Sequence, residues 1–478
     1  MKTRLKYNKT IHIIIALSLV TTSGCKKFVE VAAPTDKVSS ASVFQNDATA
    51  IAAMTGIYTT IVTTNLRDFP TSILSLSSYA GLSADELIPY LDDGANWTSF
   101  YTNTLTPTTF GFNYWTFCYP LLYNINQIIE GVNNSEKLKP AVQQQILGEA
   151  KFARAFIYFY LVNLYGDVPL VLTTDYKVNA NIGRTKTDLI YEQMISDLAE
   201  AKDLLSATYL ENDLITSKST TERLRPIRSA ASALLARVYL YKKDYSKAEK
   251  EATEVINTAL FTNGNLSTVF LKNNTEAIWQ LQPLSNGQNT PEAWTFIVPS
   301  DGFNGNHPFY LSANLLSSFE SGDQRRVQWI DSIEVSGTEY YYPYKYKSAT
   351  LGASVTEYST VFRLAEQYLI RAEARAYLSN ISGAQADLDV IRNKAGLPNT
   401  TASSTTTLAD AILHERQVEF FTEWGHRWFD LKRTDKADQV LSVIKGSNWQ
   451  TTDQLYPIPQ SDINRNPGLK GKQNPGYQ

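Results

Sequence analysis

The sequence predicts a mostly α-helical scaffold of tetratricopeptide-like helical hairpins, with a loop-rich region inserted between them. One observation is an aromatic run at helical spacing over residues 148–165. A second is the segment Ala-Arg-x-aromatic, which begins at Ala153, Ala236 and Ala374. Small residues where helices cross, with an aromatic ring filling the next layer, are typical of such hairpins. The third is residues 261–361, which have little helical period and are rich in Gly, Asn, Pro and aromatic residues.

The chain begins with a predicted export signal. Four basic residues precede an apolar run at residues 11–20, which is too short to span a bilayer and has the layout of a secretory signal. The run ends in Thr-Thr-Ser-Gly-Cys, and a small residue followed by Gly24 and Cys25 resembles a lipoprotein cleavage site. We therefore expect residues 1–24 to be removed as a signal peptide, Cys25 to become the acylated first residue, and residues 25–43 to form a tether.

Charge and cysteine content argue against several classes of protein. The sequence has 44 Lys and Arg residues against 47 Asp and Glu residues. Loss of four basic residues with the signal leaves a net charge of about −7, and no basic patch indicates nucleic acid as a partner. Of the two cysteines, Cys25 is used by the lipid and only Cys118 remains, so no disulfide framework is expected. The body of the chain must be held together by packing alone.

Three helices are predicted in the first third of the chain. Residues 44–58 and 114–132 carry apolar residues at helical spacing, and a Ser-Ala-Asp-Glu turn lies between them. The aromatic helix should end near Tyr165, because Gly166 suits a left-handed helix end and a Val-Pro pair follows at once. Asp167 then lies in a fixed turn, and we assign it a role in stability.

A helical stretch at residues 408–433 carries a stripe of acidic residues. Glu415, Glu419 and Glu423 are spaced one helical turn apart on one face. Arg416 reaches Glu419 or the following loop, so a fixed ion-pair network that contributes to stability is the plain interpretation.

An enzyme is the alternative class. A glycosidase needs two carboxyl groups that face each other across a cleft, roughly 5 to 9.5 Å apart, whereas this stripe lies on one helix face. The sequence contains no nucleophile elbow, His-Glu-x-x-His motif or phosphate loop, and its four histidines are too scattered for a recognisable metal motif. We therefore expect no catalytic residue, no metal site and no cofactor.

Large aromatic rings in two loop regions are the candidates for ligand binding. One region is the polar loop after the Ser-Ala-Asp-Glu turn, and the other is the long insertion, where the rings lie among glycines and amides. No helical or strand period assigns them to a core face, and flat rings beside amides suit the apolar faces and hydroxyls of sugars. The predicted platform consists of four residues: Asn96, Trp97, Trp294 and Tyr310. If these belong to the core instead, we expect the platform at Trp329 and residues 340–346.

Three blocks of sequence resemble the SusD/RagB family of lipid-anchored nutrient-binding proteins on the outer membrane of Bacteroidetes. They are the run Ala-Lys-Phe-x-Arg-Ala-Phe-x-Tyr-Phe-x-Leu-Val-x-Leu-Tyr-Gly-Asp-Val-Pro-Leu-Val from Ala150, the stretch at residues 408–433, and the ending Gln-Asn-Pro-Gly-Tyr477. The resemblance implies one SusD-like domain over residues 44–478, with the insertion described above and a signature region at residues 408–478.

The same resemblance implies a function. A SusD-like protein captures an oligosaccharide at the cell surface and delivers it to a SusC-like TonB-dependent barrel, and a peptide ligand, as in the RagB branch, is the alternative. We therefore expect an outer-membrane protein that faces the cell surface and is held there by the lipid on Cys25. No motif in the sequence identifies the glycan.

Overall fold

The fold is described by a computed structural model that covers most of the chain. The described residues are 40–62, 75–92, 96–109, 114–217, 222–284 and 286–477. Two units are distinguished, Met1–Val43 and Phe44–Gln478, and the first contributes one helical turn, α1 (Ser40–Val43). The predicted signal peptide, Cys25 and the tether up to residue 39 lie outside the described residues.

The long aromatic helix α6 (Pro140–Tyr165) has more buried residues than any other described helix in the first half of the second unit. It packs against α5 (Tyr114–Asn133) and α8 (Thr187–Leu204). From Phe152 to its last residue, every residue of α6 except Asn163 is buried, as the apolar character on all sides predicts. The other helices of this half are α2 (Asp47–Val62), α3 (Leu76–Ser83), α4 (Trp97–Tyr101) and α7 (Tyr176–Asn179).

The end of α6 confirms the predicted boundary. The helix stops at Tyr165 as expected, and Gly166 has a φ of 71° and a ψ of −128°, a positive-φ conformation that glycine adopts without steric cost but not the left-handed helical one that was expected. The Asp167 carboxylate accepts hydrogen bonds from the backbone N–H and the hydroxyl of Thr187, at 2.9 and 3.0 Å. Although burial opposes ionisation, these bonds and one from Lys186 lower the pKa of Asp167. The carboxylate thus fixes the chain reversal that leads into α8.

Two helical hairpins confirm the predicted repeat: α9 (Arg228–Tyr241) with α10 (Tyr245–Ile256), and α14 (Leu364–Tyr377) with α15 (Ile381–Lys394). Each pair is joined by a three-residue connection. The middle residue has a positive φ in both connections, 58° at Lys243 and 63° at Ser379. The hairpins also pack on each other, because α10 contacts α14.

The structural register of this repeat differs from the register of the sequence motif. The motif aligns Tyr377 with Tyr239. The helix ends show instead that Tyr377 corresponds to Tyr241, two residues later. The sequence places an alanine nine residues after the motif tyrosine, Ala248 in one copy and Ala386 in the other, and predicts that each opens the second helix. Ala248 is buried as expected, but Ala386 is exposed and Ala384 takes the equivalent buried position. The short connection sets the register, because both hairpins turn over the same number of residues.

The arginine of the repeated segment has a role that the motif did not reveal. In each copy the guanidinium forms an ion pair with a carboxylate of a neighbouring helix. The pairs are Arg154–Asp197 (2.6 Å), Arg237–Glu366 (2.6 Å) and Arg375–Asp387 (2.8 Å). Guanidinium–carboxylate bonds have a well-defined geometry, so these pairs fix how adjacent helices are aligned.

The inserted region contains short strands and helices as well as loops. With β1 (Leu87–Pro89), its strands form three two-stranded antiparallel ladders, β1–β3, β2–β6 and β4–β5. The strands are β2 (Ala277–Leu281), β3 (Phe309–Leu311), β4 (Ile330–Val335), β5 (Thr338–Pro343) and β6 (Ser359–Arg363). The helices are α11 (Pro291–Phe296), α12 (Ala313–Ser317) and α13 (Gln324–Gln328).

The C-terminal part of the chain is helical. It consists of α16 (Thr405–Phe420), α17 (His426–Arg433), α18 (Ala437–Lys445) and α19 (Gln460–Arg465), with 3₁₀ turns at Gly446–Asn448, Thr451–Gln454 and Pro467–Leu469. Within the part of the chain that the structure describes, no helix has the length and apolar character needed to cross a membrane.

Candidate functional site

The β1–β3 ladder brings together the two regions that carry the predicted ligand residues. Ile88 of β1 pairs with Tyr310 of β3, and the backbone N–H of Tyr90 extends the ladder by donating to the carbonyl of Pro308 at 2.7 Å. Side chains alternate along a strand. Because Phe309 is buried and Tyr310 is half-buried, the Tyr310 ring lies on the face of the ladder away from the core.

Four half-buried rings form a continuous cluster, which we call the aromatic surface: Tyr90, Phe303, Tyr310 and Tyr340. Tyr90 stacks on Phe303 with ring centroids 4.3 Å apart and planes at 14°. Tyr340, from β5, meets the other three rings edge-on at 5.0 to 5.4 Å. The rings hold one another in place, so their exposed faces have a fixed arrangement.

The aromatic surface has the chemistry of a neutral binding site. Burial, followed by the neighbouring phenols, raises the pKa of Tyr310, so its hydroxyl keeps its proton at neutral pH. A protonated phenol both donates and accepts hydrogen bonds, while the ring beside it offers an apolar face. Such a surface can take up a ligand that has apolar faces and hydroxyl groups together.

Trp97 lies in a short helix, which corrects the prediction of a loop, whereas Asn96 lies just before that helix. Trp97 is the first residue of α4, and Asn96 immediately precedes it. The indole N–H donates to the carbonyl of Leu91 at 3.2 Å, and the half-buried ring meets Phe309 edge-on at 5.8 Å. Phe309 points to the buried face of the ladder, so Trp97 packs on the side opposite Tyr310.

Trp294 is also helical, contrary to the expectation of irregular structure. It lies in α11, whose N-terminus is capped by the Thr290 hydroxyl, which accepts a bond from the backbone N–H of Ala293 at 3.1 Å. Its half-buried ring packs against the His307 imidazole with centroids 5.2 Å apart. Burial lowers the pKa of His307, which keeps this neighbour neutral. Trp97, Trp294 and Tyr310 therefore have different ring partners.

The alternative platform is excluded in part. Trp329 is fully buried and donates its indole N–H to the carbonyl of Leu266 at 2.9 Å, and Tyr346 is buried as well. Tyr340 from the same run does belong to the aromatic surface. Sequence reasoning did not assign Tyr90 and Phe303 to the site, because no local signal shows that β1 pairs with β3.

Only Glu415 and Glu419 of the predicted stripe lie on α16, because the helix ends at Phe420 and Glu423 lies in the turn after it. All three belong to a cluster that we call the ionic core: Glu276, Arg325, Lys345, Arg363, Lys394, Glu415, Glu419 and Glu423. Glu419 is fully buried and accepts bonds from Arg363 at 2.5 Å and from Arg325 at 2.9 Å. Although burial opposes ionisation, Lys394 and the two guanidinium groups hold the pKa of Glu419 well below its usual range. The predicted ion-pair network is therefore present.

The other carboxylates of the stripe are paired in the same way. Glu415 lies 2.7 Å from Arg325, and Glu423 lies 2.5 Å from Lys345 and 2.9 Å from Arg363. The carboxylates weighed as glycosidase groups are thus held by cations. Among the described residues, no group of His, Cys, Asp and Glu side chains is arranged to hold a metal ion.

Arg416 corrects one detail of the predicted network. Its guanidinium donates to Asp430 of α17 at 2.7 Å, and not to Glu419. Asp430 also accepts from Arg433 at 2.7 Å. Arg416 therefore connects α16 to α17, and the cations around Glu419 come from other parts of the sequence.

Comparisons with known proteins agree with this architecture. A model described as the SusD family matches residues 328–477, and a model described as starch-binding associating with outer membrane matches residues 75–240. The curated relative "SusD-like protein P2" of Formosa agariphila is 26% identical, over 99% of this chain and 100% of its own length. "Starch-binding protein SusD" of Bacteroides thetaiotaomicron is 25% identical, over 74% of this chain and 77% of its own.

Solved structures share the fold. A laminarin binding SusD-like protein has a TM-score of 0.74 and 23% identity, and the match covers 91% of this chain and 100% of that one. At this identity the likeness is one of fold. The family assignment depends on the two family models, which match residues 75–240 and 328–477, and on the relative that matches along its full length. The chain belongs to the SusD/RagB family.

Proposed function

We propose that the chain is a glycan-binding protein of the outer membrane, and that the aromatic surface binds the oligosaccharide. The observation that carries the proposal is the arrangement of Tyr90, Phe303, Tyr310 and Tyr340, four uncharged half-buried rings in fixed mutual contact. Sugar rings stack on such faces, and phenol hydroxyls at the edge meet sugar hydroxyls. We propose that Asn96, Trp97 and Trp294, whose contacts lie outside the four-ring cluster, provide further contacts to the ligand.

The named ligands of relatives support the same ligand class. One relative is a starch-binding protein, and one fold neighbour is a laminarin binding protein. We propose binding without hydrolysis, because the carboxylates of the acidic stripe are occupied by buried cations. The bound glycan is then passed to a SusC-like TonB-dependent barrel.

A glycan and peptide panel tests the ligand class. Calorimetry with soluble glycans and with peptides should find a glycan that binds. Tyr310→Ala should reduce the binding free energy of that glycan by about 1 to 3 kcal/mol with little loss of stability. A matched control is Tyr377→Ala, because Tyr377 stacks on Tyr245 at 4.3 Å on the helical repeat. Binding of peptides alone would favour the RagB-like alternative. An equal loss in both variants would argue against the aromatic surface.

The membrane anchor is tested separately. We propose that Cys25 carries the lipid that holds the protein on the cell surface, so Cys25→Ala should release it from the membrane fraction and leave the fold intact. The measurement is cell fractionation in a strain that lacks the barrel, with Cys118→Ala, a buried cysteine, as the control. A Cys25→Ala protein that stays with the membrane there would contradict the proposal.

A further inference from the structure

A cavity lies in the helical scaffold, and its walls contain no residue of the aromatic surface. It has a volume of about 570 Å³. Its walls come from the end of α6, the start of α8, the end of α9, the end of α17 and the 3₁₀ turn Thr451–Gln454. The residues that matter below are Asn163, Tyr191, Tyr241, Lys432, Thr451 and Gln454. None of them belongs to the aromatic surface or to the ionic core.

Lys432 is the unusual group in this cavity. Its ammonium donates to two backbone carbonyls, those of Asn163 and of Gln454, the latter at 2.8 Å. It also lies 5.1 Å from the ring centroid of Trp428. Among the described residues, no carboxylate lies within ion-pair distance of this ammonium, whereas the adjacent Arg433 is paired with two, at 2.5 and 2.7 Å.

An ammonium has three N–H donors, and the two carbonyls accept two of them; the other neighbours of Nζ are the rings of Trp428 and Phe429, at 5.1 and 5.4 Å from their centroids. Burial lowers the pKa of Lys432 to about 7, so the amine is fully charged only below neutral pH, and a carboxylate bound beside it would raise this pKa again. A partly buried charge without a counter-charge is unfavourable, and a carboxylate that enters the cavity would relieve this cost through a charge-assisted hydrogen bond.

The remaining walls suit a sugar ring. Tyr191 lies at one wall, where its hydroxyl is bonded to the Asn163 amide at 3.0 Å, and the half-buried ring of Tyr241 forms another. Thr451 presents an exposed hydroxyl at the rim, and Gln454 lies beside it. Aromatic walls with hydroxyl and amide groups at the edge fit a pyranose.

We propose that this cavity is a second ligand site and that it binds a uronic acid unit. The carboxylate bonds to the third N–H of Lys432, and the sugar hydroxyls meet Thr451 and Gln454. The site is independent of the aromatic surface, so the chain would recognise acidic sugars at one place and neutral glycan at another.

Calorimetry on the full chain with glucuronate, glucose and acetate tests this proposal. Glucuronate should bind at least about tenfold more tightly than either glucose or acetate, because it alone offers both the charge and the hydroxyls. Lys432→Met should remove the binding, but it also releases two carbonyls. Thr451→Glu keeps the bonds of Lys432 to the two carbonyls and places a negative charge at the exposed rim. It should weaken the binding of glucuronate by about tenfold.

The matched control is Thr401→Glu, which adds the same charge at an exposed threonine that does not line the cavity. It should leave glucuronate binding unchanged, and so should Tyr310→Ala, which separates this site from the proposed neutral-glycan site. The proposal is overturned if glucuronate binds no more tightly than glucose or acetate, or if its binding is the same in Thr451→Glu as in the parent protein.

Discussion

The ionic core and the aromatic surface both include residues of the inserted region, yet the first consists of buried charged groups and the second of half-exposed uncharged rings. In the ionic core, Glu419 and Arg363 are buried and each has several charged partners. In the aromatic surface, Tyr310 and its neighbours are uncharged and half-exposed. The comparison indicates two roles. The ion pairs of the ionic core connect the inserted region to α15 and α16, while the half-exposed rings of the aromatic surface can exchange water for a ligand.

A salt bridge joins α17 to the segment just before β1. Arg427 of α17 forms two bonds of 2.7 Å with Asp85, which precedes β1, and Asp85 also accepts from the Asn314 amide at 2.6 Å. The next residue, Glu86, accepts the backbone N–H of Ser312 through its carbonyl at 2.9 Å. The bonds of Arg427 to Asp85 thus hold α17 against the segment that leads into β1 and the ladder that carries Tyr310.

The largest effect is expected in the ionic core. Glu419→Ala removes the buried carboxylate that Arg363 and Arg325 share and leaves the surrounding cations with one negative charge fewer, so it should lower the free energy of unfolding by about 3 to 5 kcal/mol. Thermal and denaturant unfolding measure it. The control is Glu200→Ala, whose carboxylate pairs with Lys151 at 2.9 Å but is 55% exposed, and which should change stability by less than about 1 kcal/mol.

A different outcome would break the comparison. If Glu419→Ala kept its stability and lost glycan binding, Glu419 would belong to the site and not to the scaffold. The unfolding experiment should therefore be run beside a binding measurement with the best glycan from the panel.

The next effect depends on pH and concerns Glu86, between the two regions. Its side chain is buried, one oxygen accepts from the backbone N–H of Thr422 at 3.3 Å, and Oε1 has no hydrogen-bond partner among the described residues. Burial, followed by repulsion from Asp85, raises the pKa of Glu86 from 4.5 to about 8. The folded protein therefore holds a proton that the unfolded chain loses near pH 4.5.

This difference fixes the sign of the pH dependence. Stability from Glu86 is present below pH 4.5, falls as pH rises from 5 to 8, and levels off above the folded pKa. The slope is at most about 1.4 kcal/mol per pH unit. Glu86→Gln should remove it, as denaturant unfolding between pH 5 and 8 will measure, whereas Glu334→Gln, at an exposed position, should not. Equal slopes in both variants would contradict the assignment.

Sequence reasoning succeeded where the determining contacts are local. Gly166 stops α6 within one turn, and small residues at helical spacing predict the hairpins. It failed where contacts are distant. The pairing of Ile88 with Tyr310 joins residues with no pattern in common, and a tryptophan such as Trp329 in a glycine-rich region looks the same in sequence whether it is buried or exposed. The cations that surround Glu419 are likewise distant in sequence, so the network was predictable but its members were not.

The smallest effects are expected at Trp97 and Trp294, which lie outside the four rings of the aromatic surface. Trp97 and Trp294 are half-buried, and each shares its ring with a protein partner, Phe309 or His307. Each Ala substitution should therefore weaken glycan binding by about 1 kcal/mol, less than Tyr310→Ala, since only part of the ring is open to a ligand. Calorimetry beside a thermal melt measures both consequences.

Tyr123→Ala provides the control for these two variants, because Tyr123 is a 39% exposed ring on α5, away from the ladder. Trp97→Ala should also lower the melting temperature more than Trp294→Ala, since its indole N–H bond to Leu91 and its contact behind the ladder are lost together. If both variants bind like the parent protein, the site is confined to the four rings of the aromatic surface. If both variants unfold, the two indoles belong to the core and stabilise the fold, and they are not part of the ligand site.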